Sequence, residues 1–220
     1  MNYYSENDIK QIVADVLSRS GFTGGSAKGM EIPVEISARH VHLSKADKET
    51  LFGAGYTLTR KRDLSQPGQY LCEERVKLVT QSGEIANVAV LGPERKETQV
   101  ELSLTDARVL GLKPPIRLSG DLRNAADVII VGPKGVITAK GSVIVAKAHV
   151  HMTPDDARKY GVEHGQSVSI RMGTERSVTL NDVQIRVSKD FGLAVHIDYD
   201  EANAAQVGGG NIVGCLIKNG

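Results

Sequence analysis

The stretch ARHVHLS at residues 38–44 recurs in the second half of the chain as KAHVHMT at residues 147–153. In both copies an acidic helix start follows the motif, and a glycine comes after it. A motif that returns in the same local context is typical of internal duplication. The sequence therefore predicts two homologous halves, each with a His-x-His pair at an equivalent place.

Short apolar or alternating runs lie around both motifs. They are separated by glycine-rich turns such as Ser82-Gly83, a pattern typical of strands. The predicted strands are residues 34–36, 76–79, 85–91, 128–131, 143–145, 167–171 and 183–187. Helices of two to three turns are predicted to begin at or near four capping residues. These residues are Ser44, Thr105, Thr153 and Asp198 or Tyr199.

The helices cap strand ends and do not alternate with every strand, which favours β-barrels over a doubly wound sheet. We therefore expect a mainly β fold of the α+β class with short capping helices. It consists of two pseudo-symmetric β-barrel domains, at about residues 31–125 and 126–220.

The N-terminal segment has a different pattern. Ile9, Ile12, Val13, Val16 and Leu17 follow the 3/4 spacing of an amphipathic helix. This predicts a helix over residues 1–20, followed by a glycine-rich linker at 21–30. The helix either folds back on its own domain or detaches and docks on another protein, and the linker favours docking.

Composition excludes several classes of protein. The formal net charge is only +1, so no global field attracts nucleic acid or an anionic membrane. Aromatic residues are 4% of the chain and tryptophan is absent, which leaves few platforms for stacking bases. The sequence predicts no membrane span and no secretory signal, and its two cysteines suggest a reducing compartment. Cys72 precedes two glutamates, which oppose a thiolate nucleophile.

The His-x-His pairs predict metal binding. Residues two apart on a strand project from one face with Cα atoms about 6.5–7 Å apart, so both imidazoles reach one ion. His40 and His42 form the first pair, and His149 and His151 repeat it. These are four of the six histidines, which makes chance placement a poor explanation. Duplication that preserved histidines without a metal is the alternative.

A catalytic zinc usually has three protein ligands, so each pair needs a partner. His196 lies in an apolar run, where an unpaired imidazole is costly; a satisfied core histidine is the alternative. For the first pair the partner could be Glu101, although its alternation alone does not single it out. Arg95, in the turn GPERKE at 92–97, offers a planar guanidinium for phosphate unless the turn is simply solvated. His164, in a polar turn, is not expected to be a ligand.

The order of these motifs carries a resemblance. From residue 31 to the C-terminus the sequence resembles the PduL-type phosphate propanoyltransferase family, through VEISARHVHLS at 34–44, GPER at 92–95 and AHVHM at 148–152. The resemblance implies reversible transfer of an acyl group between coenzyme A and phosphate by an enzyme with two β-barrels and two zinc ions. It assigns two metal triads and a phosphate-binding arginine: His40, His42 and Glu101; His149, His151 and His196; and Arg95.

The resemblance also implies a location. Family members of catabolic microcompartments have a short amphipathic N-terminal helix on a linker, and residues 1–20 fit that description. The expected place is the lumen of a bacterial microcompartment, or otherwise the cytoplasm. The expected partners are acyl-CoA, coenzyme A, phosphate and shell or core proteins. Propanoyl-CoA and acetyl-CoA both fit, other divalent metals are open, and homo-oligomerisation is open.

Two other functions stay open at this point. A binuclear metal-dependent acyl-CoA thioesterase would use water where the transferase uses phosphate. A non-catalytic microcompartment adaptor would dock through its N-terminal helix and only store metal. For the transferase we expect the metal at His40, His42 and Glu101 to meet the sulfur of coenzyme A. The three-histidine metal, whose ligands are neutral, is expected to hold phosphate or polarise the carbonyl.

Overall fold

Fourteen strands and four short helices make up the part of the chain that the computed structural model describes, residues 5, 31–208 and 212–218. The helix predicted at 1–20 and the linker at 21–30 lie outside the described residues, Ser5 excepted. The strands are β1 (Glu31–Ser37), β2 (His40–Ser44), β3 (Arg60–Asp63), β4 (Tyr70–Val79), β5 (Glu84–Arg95), β6 (Gln99–Leu102), β7 (Ile116–Arg117), β8 (Ala126–Val131), β9 (Val136–Ala146), β10 (His149–Met152), β11 (Ser167–Met172), β12 (Val178–Val187), β13 (Ala194–Asp198) and β14 (Val213–Lys218). The helices are α1 (Lys45–Phe52), α2 (Leu104–Val109), α3 (Pro154–Tyr160) and α4 (Tyr199–Ala204).

The prediction of a mainly β fold with short capping helices is confirmed, and each predicted strand lies inside an observed one. Ser44, Thr153 and Asp198 are N-caps whose side chains accept a backbone N–H three residues later. The helix predicted to begin at Thr105 begins earlier, because the hydroxyl of Ser103 caps it. None of the described helices is long and apolar enough to cross a lipid bilayer.

One closed barrel takes its strands in the order β1, β13, β10, β12, β11 and β14. Its first strand comes from the start of the described chain. β1 runs parallel to β13, with Val34 opposite Val195 and Ile36 opposite Ile197. The barrel of the C-terminal half is thus completed by residues 31–37, outside the range 126–220.

The remaining strands form an eight-stranded sheet in the order β3, β4, β5, β2, β6, β9 and β7, with β8 paired to both β4 and β9. Ile130 of β8 lies opposite Leu78 on one side and Ile137 on the other. β8 and β9 therefore belong with the strands of the N-terminal half. Strand membership crosses residue 125, and residues Ile32–Gly220 form one compact unit, so the predicted domain boundaries stay a prediction.

Both His-x-His strands are anchored by the valine between their histidines. Val41 is fully buried between Val90 and Val100, its neighbours on β5 and β6. Val150 is fully buried at the equivalent place in β10. Because side chains alternate along a strand, burying the valine turns both histidines of each pair to the opposite face. The core thereby sets the direction of the candidate ligands.

Candidate functional site

The two His-x-His strands have the same neighbours. β2 lies between β5, which is parallel to it, and β6, which is antiparallel. β10 lies between the parallel β12 and the antiparallel β13. In these registers His40 lies opposite Glu101, and His149 lies opposite His196. The structure thus places each predicted third ligand at the same position relative to its histidine pair.

His40, His42 and Glu101 form a group that could hold a metal ion. Their ligand atoms all lie within 4.8 Å of one another, and all three residues are buried. His40 Nδ1 is 2.7 Å from the carbonyl oxygen of Ala38. A carbonyl only accepts, so Nδ1 carries the proton and Nε2 keeps its lone pair, 3.6 Å from Glu101 Oε1. A backbone partner of this kind fixes the orientation of a metal-binding imidazole.

The charges of this group suit a divalent cation. Burial acts to raise the pKa of Glu101, but the adjacent His40 and hydrogen bonds hold it well below its usual range. Burial acts to lower the pKa of His40, and the Glu101 carboxylate outweighs it so that the pKa is raised. Burial lowers the pKa of His42 well below its usual value. Glu101 is therefore ionised and His42 neutral, as metal ligands must be, and a bound cation would displace the proton that the Glu101 carboxylate favours on His40.

His149, His151 and His196 come together in the other half, with ring centroids no more than 5.1 Å apart. His149 Nδ1 donates to the carbonyl oxygen of Lys147 at 2.8 Å, as His40 does to Ala38. Burial lowers the pKa of His149 and of His196 to about 4, and that of His151 to about 2. All three are therefore neutral at neutral pH.

His151 has an unusual environment. Within the described residues neither of its ring nitrogens, both buried, has a hydrogen-bond partner. Leaving buried polar atoms unpaired costs free energy, so each such group needs an explanation. Its ring stacks on Phe191 with centroids 4.0 Å apart, which holds the ring in place without satisfying its nitrogens. A neutral imidazole has one lone pair, so a bound cation would provide a partner for one of these two nitrogens.

Gln66, between β3 and β4, joins the two halves beside His196, and the sequence analysis did not identify it. Its Nε2 donates to the carbonyl oxygen of Gly192 at 3.1 Å, and its Oε1 accepts from the Gly192 N–H at 3.2 Å. The same Nε2 is 3.3 Å from His196 Nε2. A side chain at position 192 would start 3.1 Å from the carbonyl oxygen of Ser65. Glycine thus permits the close approach of this loop.

One cavity of about 810 Å³ is lined by all six predicted ligands. Arg95, Arg186, Gln66, Ser119 and Phe191 also line it. A volume of this size is that of a pocket for an organic ligand. The two triads therefore face the same space and can act on one bound molecule.

Two arginines give this cavity positive charge. Arg95 Nη1 donates to Ser119 Oγ at 3.0 Å, which orients the guanidinium. Arg186 lies opposite His151 on β12 and near the face of Phe191. Burial lowers the pKa of both arginines from their usual value, but a guanidinium stays protonated in proteins. No local sequence pattern predicts a role for Arg186, because only the β10–β12 pairing turns it to the site.

Two residues that were not expected to bind metal or to act as a nucleophile, His164 and Cys72, lie outside this cavity. His164 is exposed, and its Nδ1 accepts the backbone N–H of Val187 at 3.1 Å. Cys72 is fully buried in the apolar core, and burial raises the pKa of its thiol to about 11. A protonated thiol in the core cannot attack a substrate, which agrees with the expectation from its sequence neighbours.

Comparison with known proteins gives consistent matches. Residues 33–208 match the family model of phosphate propanoyltransferase. The phosphate propanoyltransferase of Alkaliphilus metalliredigens is 49% identical over 91% of this chain and 93% of its own length. That of Priestia megaterium is 51% identical over 92% of this chain and 93% of its own. That of Clostridioides difficile is 47% identical over 97% of this chain and 99% of its own.

Proposed function

Because this chain belongs to the phosphate propanoyltransferase family, we propose that it moves the acyl group of an acyl-CoA to inorganic phosphate, and back, in the cavity shared by its two histidine clusters. The acyl-CoA is propanoyl-CoA, with acetyl-CoA as a second candidate. The observation that carries the proposal is the convergence of both triads and two arginines on one cavity.

Each triad is proposed to hold one zinc ion or a similar divalent metal. The fit rests on the converging ligand atoms of His40, His42 and Glu101 and on the unpartnered nitrogens of His151. His149 and His196 complete the second set beside His151. Imidazole nitrogen and carboxylate oxygen are common zinc ligands, and three protein ligands leave an open position. A divalent metal held by these residues would supply Lewis acidity for the leaving thiolate and for the oxyanion that develops at the carbonyl.

The two clusters differ in charge. The first contains the ionised Glu101, whereas the second is built from neutral histidines, so a cation there keeps more positive charge. A phosphate dianion is therefore favoured on the side of the second cluster. The sulfur of coenzyme A is assigned to the first, as expected from the sequence.

Arg95 is proposed to hold phosphate. Its guanidinium is partly removed from water and held by Ser119, so its donors are oriented before the anion arrives. Arg186 adds a second positive charge on the cavity wall. One phosphate oxygen then attacks the thioester carbonyl, the C–O bond forms, the C–S bond breaks, and the thiolate leaves. No covalent intermediate with the protein is needed.

The strand pairings support a fold proposal. β4, β5, β2, β6, β9 and β8 follow one another in a ring of pairings. We assign this ring as a second barrel, related by pseudo-symmetry to the closed one, since β2 and β10 have matching neighbours. In this assignment β1, from the first half of the chain, belongs to the closed barrel, and β8 and β9, which follow residue 125, belong to the proposed one.

Residues 1–20 are proposed to target the enzyme to the lumen of a bacterial microcompartment by binding shell or core proteins. The 3/4 spacing of apolar residues and the glycine-rich segment after them support this role. Among the described residues, those that line the cavity lie at or after Glu35. Deletion of residues 1–20 is therefore expected to abolish co-purification with microcompartments and to leave the kinetics in solution unchanged.

The decisive experiment measures thiol release from propanoyl-CoA with and without phosphate, on purified protein of known metal content. The expected result is release only with phosphate, with one propanoyl phosphate formed per thiol. Equal release without phosphate identifies a thioesterase instead. If the metal-loaded protein releases no thiol under either condition, the result supports the non-catalytic microcompartment adaptor.

A further inference from the structure

Gln99 is a buried glutamine whose side-chain NH2 donates to two groups of the site. It lies two residues before Glu101 on β6, on the same face, and is 2% exposed. Its Nε2 donates to Glu101 Oε1 at 2.6 Å and to Ser119 Oγ at 2.9 Å, and its Oε1 accepts from the Gly120 N–H at 2.8 Å. A carboxylate only accepts and an N–H only donates, so these partners fix the orientation of the amide.

Ser119 extends this arrangement to the arginine. Its Oγ accepts hydrogen bonds from Arg95 Nη1 at 3.0 Å and from Gln99. The Ser119 side chain is also close enough to Glu101 to help lower the pKa of that carboxylate. Because its two lone pairs are occupied, its own proton is the group that faces the carboxylate. Gln99 and Ser119 therefore stand between Glu101 and Arg95.

The opposite charges of Glu101 and Arg95 attract each other within the cavity wall. A direct ion pair between them would neutralise the carboxylate that faces His40 and occupy the guanidinium that faces the anion. Ion pairs removed from water are held strongly by their mutual attraction. Other hydrogen-bonding side chains must therefore occupy the positions between the Glu101 carboxylate and the Arg95 guanidinium if the two are to stay apart.

The other half has no counterpart of this amide. Gln99 lies opposite His42, and the equivalent position opposite His151 is Ala194. The first histidine of each pair is oriented by a backbone carbonyl, of Ala38 or of Lys147. The glutamine thus accompanies Glu101, the one carboxylate among the six predicted ligands, which has no backbone hydrogen-bond partner within the described residues.

We propose that Gln99, together with Ser119, is a positioning residue that keeps Glu101 turned to His40 and Arg95 turned to phosphate, so that the two charges do not pair with each other. The inference rests on the proposed function, since metal and phosphate are the ligands whose binding it governs.

The test replaces Gln99 by methionine, which has the same unbranched length but no strong donor or acceptor. The control is Gln166→Met, in a surface turn, where the amide oxygen accepts the backbone N–H of Glu163. Zinc affinity of the metal-free protein is measured by competition with a chelator. The Michaelis constants for phosphate and for propanoyl-CoA are measured on the zinc-loaded protein.

We expect Gln99→Met to lower the affinity for one of the two zinc ions by about 10- to 100-fold, the usual effect of removing a hydrogen-bond partner of a metal ligand. The Michaelis constant for phosphate should rise by about tenfold and that for propanoyl-CoA by less than about twofold. Gln166→Met should change none of these. A folded Gln99→Met protein with unchanged zinc affinity and phosphate constant overturns the proposal.

Ser119→Ala is a second variant that tests the same proposal if Gln99→Met does not fold. This variant removes the hydroxyl that accepts from Arg95 and leaves the hydrogen bond between Gln99 and Glu101. The Michaelis constant for phosphate should therefore rise, while the affinity for zinc should fall by less than about threefold. An unchanged phosphate constant overturns the proposal. Failure of the proposed function is recognised separately, because the wild-type protein would then bind no stoichiometric zinc or turn over without phosphate, and the positioning role would fall with it.

Discussion

His40 lies directly opposite Glu101 across the antiparallel strands β2 and β6, with its Nε2 3.6 Å from the nearer carboxylate oxygen. The second half repeats this register, with His149 opposite His196. The same cross-strand position therefore holds a carboxylate, Glu101, in one half and an imidazole, His196, in the other. A single side chain thus sets a difference of one unit of charge between the two clusters, and this difference is the physical basis for assigning them different ligands.

Removing one histidine of either pair should remove one metal ion and the activity together. His40→Ala and His149→Ala each leave two ligands, too few for a catalytic zinc. We expect each variant to lose one zinc per chain and to lose turnover by at least about 100-fold. Metal analysis and the phosphate-dependent assay measure both quantities. The control is His164→Ala, at an exposed histidine outside the cavity, and normal turnover in either metal-poor variant contradicts the two-metal scheme.

Arg95→Lys should act on phosphate more than on acyl-CoA. Lysine keeps the charge but replaces a planar fork by a point charge, so bidentate contact with an anion is lost. We expect the Michaelis constant for phosphate to rise by about tenfold and that for acyl-CoA by less than about twofold. Steady-state kinetics with each substrate varied in turn separates the two. Arg176→Lys, at an exposed arginine, is the control, and equal effects on both substrates argue against the assigned role.

Gln66→Met should destabilise the protein. The substitution leaves the N–H and the carbonyl of Gly192 without the amide that pairs with both. The two lost hydrogen bonds contribute about 0.5–1.5 kcal/mol each, so the free energy of unfolding should fall by about 1–3 kcal/mol. Chemical denaturation of the metal-free protein measures it. Gln166→Met, which removes an amide that accepts from the Glu163 N–H in a surface turn, is the control. A Gln66→Met protein as stable as its control would contradict a structural tie between the two loops.

The pH dependence of stability should contain a contribution from Glu201. Burial raises its pKa to about 7, helped by the nearby carboxylates of Asp198 and Asp200, whereas a glutamate in the unfolded chain has its ordinary pKa of 4.5. The folded protein therefore binds more protons between these values, and the free energy of unfolding falls as pH rises from about 4.5 to 7.

Glu201→Gln tests this contribution. The amide oxygen can still accept the Asp198 N–H, which the glutamate accepts at 2.9 Å, so the helix cap is kept. We expect a higher unfolding temperature than wild type at pH 8 and a flatter stability curve between pH 5 and 8. Glu175→Gln makes the same charge change at an exposed site. Curves that stay parallel to wild type would refute the assigned pKa.

Local patterns in the sequence were sufficient for much of the fold and for the histidine pairs. The alternation of His40, Val41 and His42 predicted two imidazoles on one face, because side-chain direction in a strand depends only on neighbouring residues. The caps at Ser44 and Thr153 were equally local, since the bonded N–H lies three residues away. The cap at Ser103 was missed because Thr105, a good capping residue, stands close by.

What folding adds is the pairing of distant segments. Glu101 and His196 were plausible third ligands in sequence, but only the strand registers place them opposite His40 and His149. Arg186 and Gln66 had no local signal at all, and β1 joins a barrel built mainly from the far end of the chain. The ligand types, their spacing and their duplication follow from short-range periodicity. The shared cavity follows from long-range strand pairing, whose register depends on how the buried valines and their neighbours pack together.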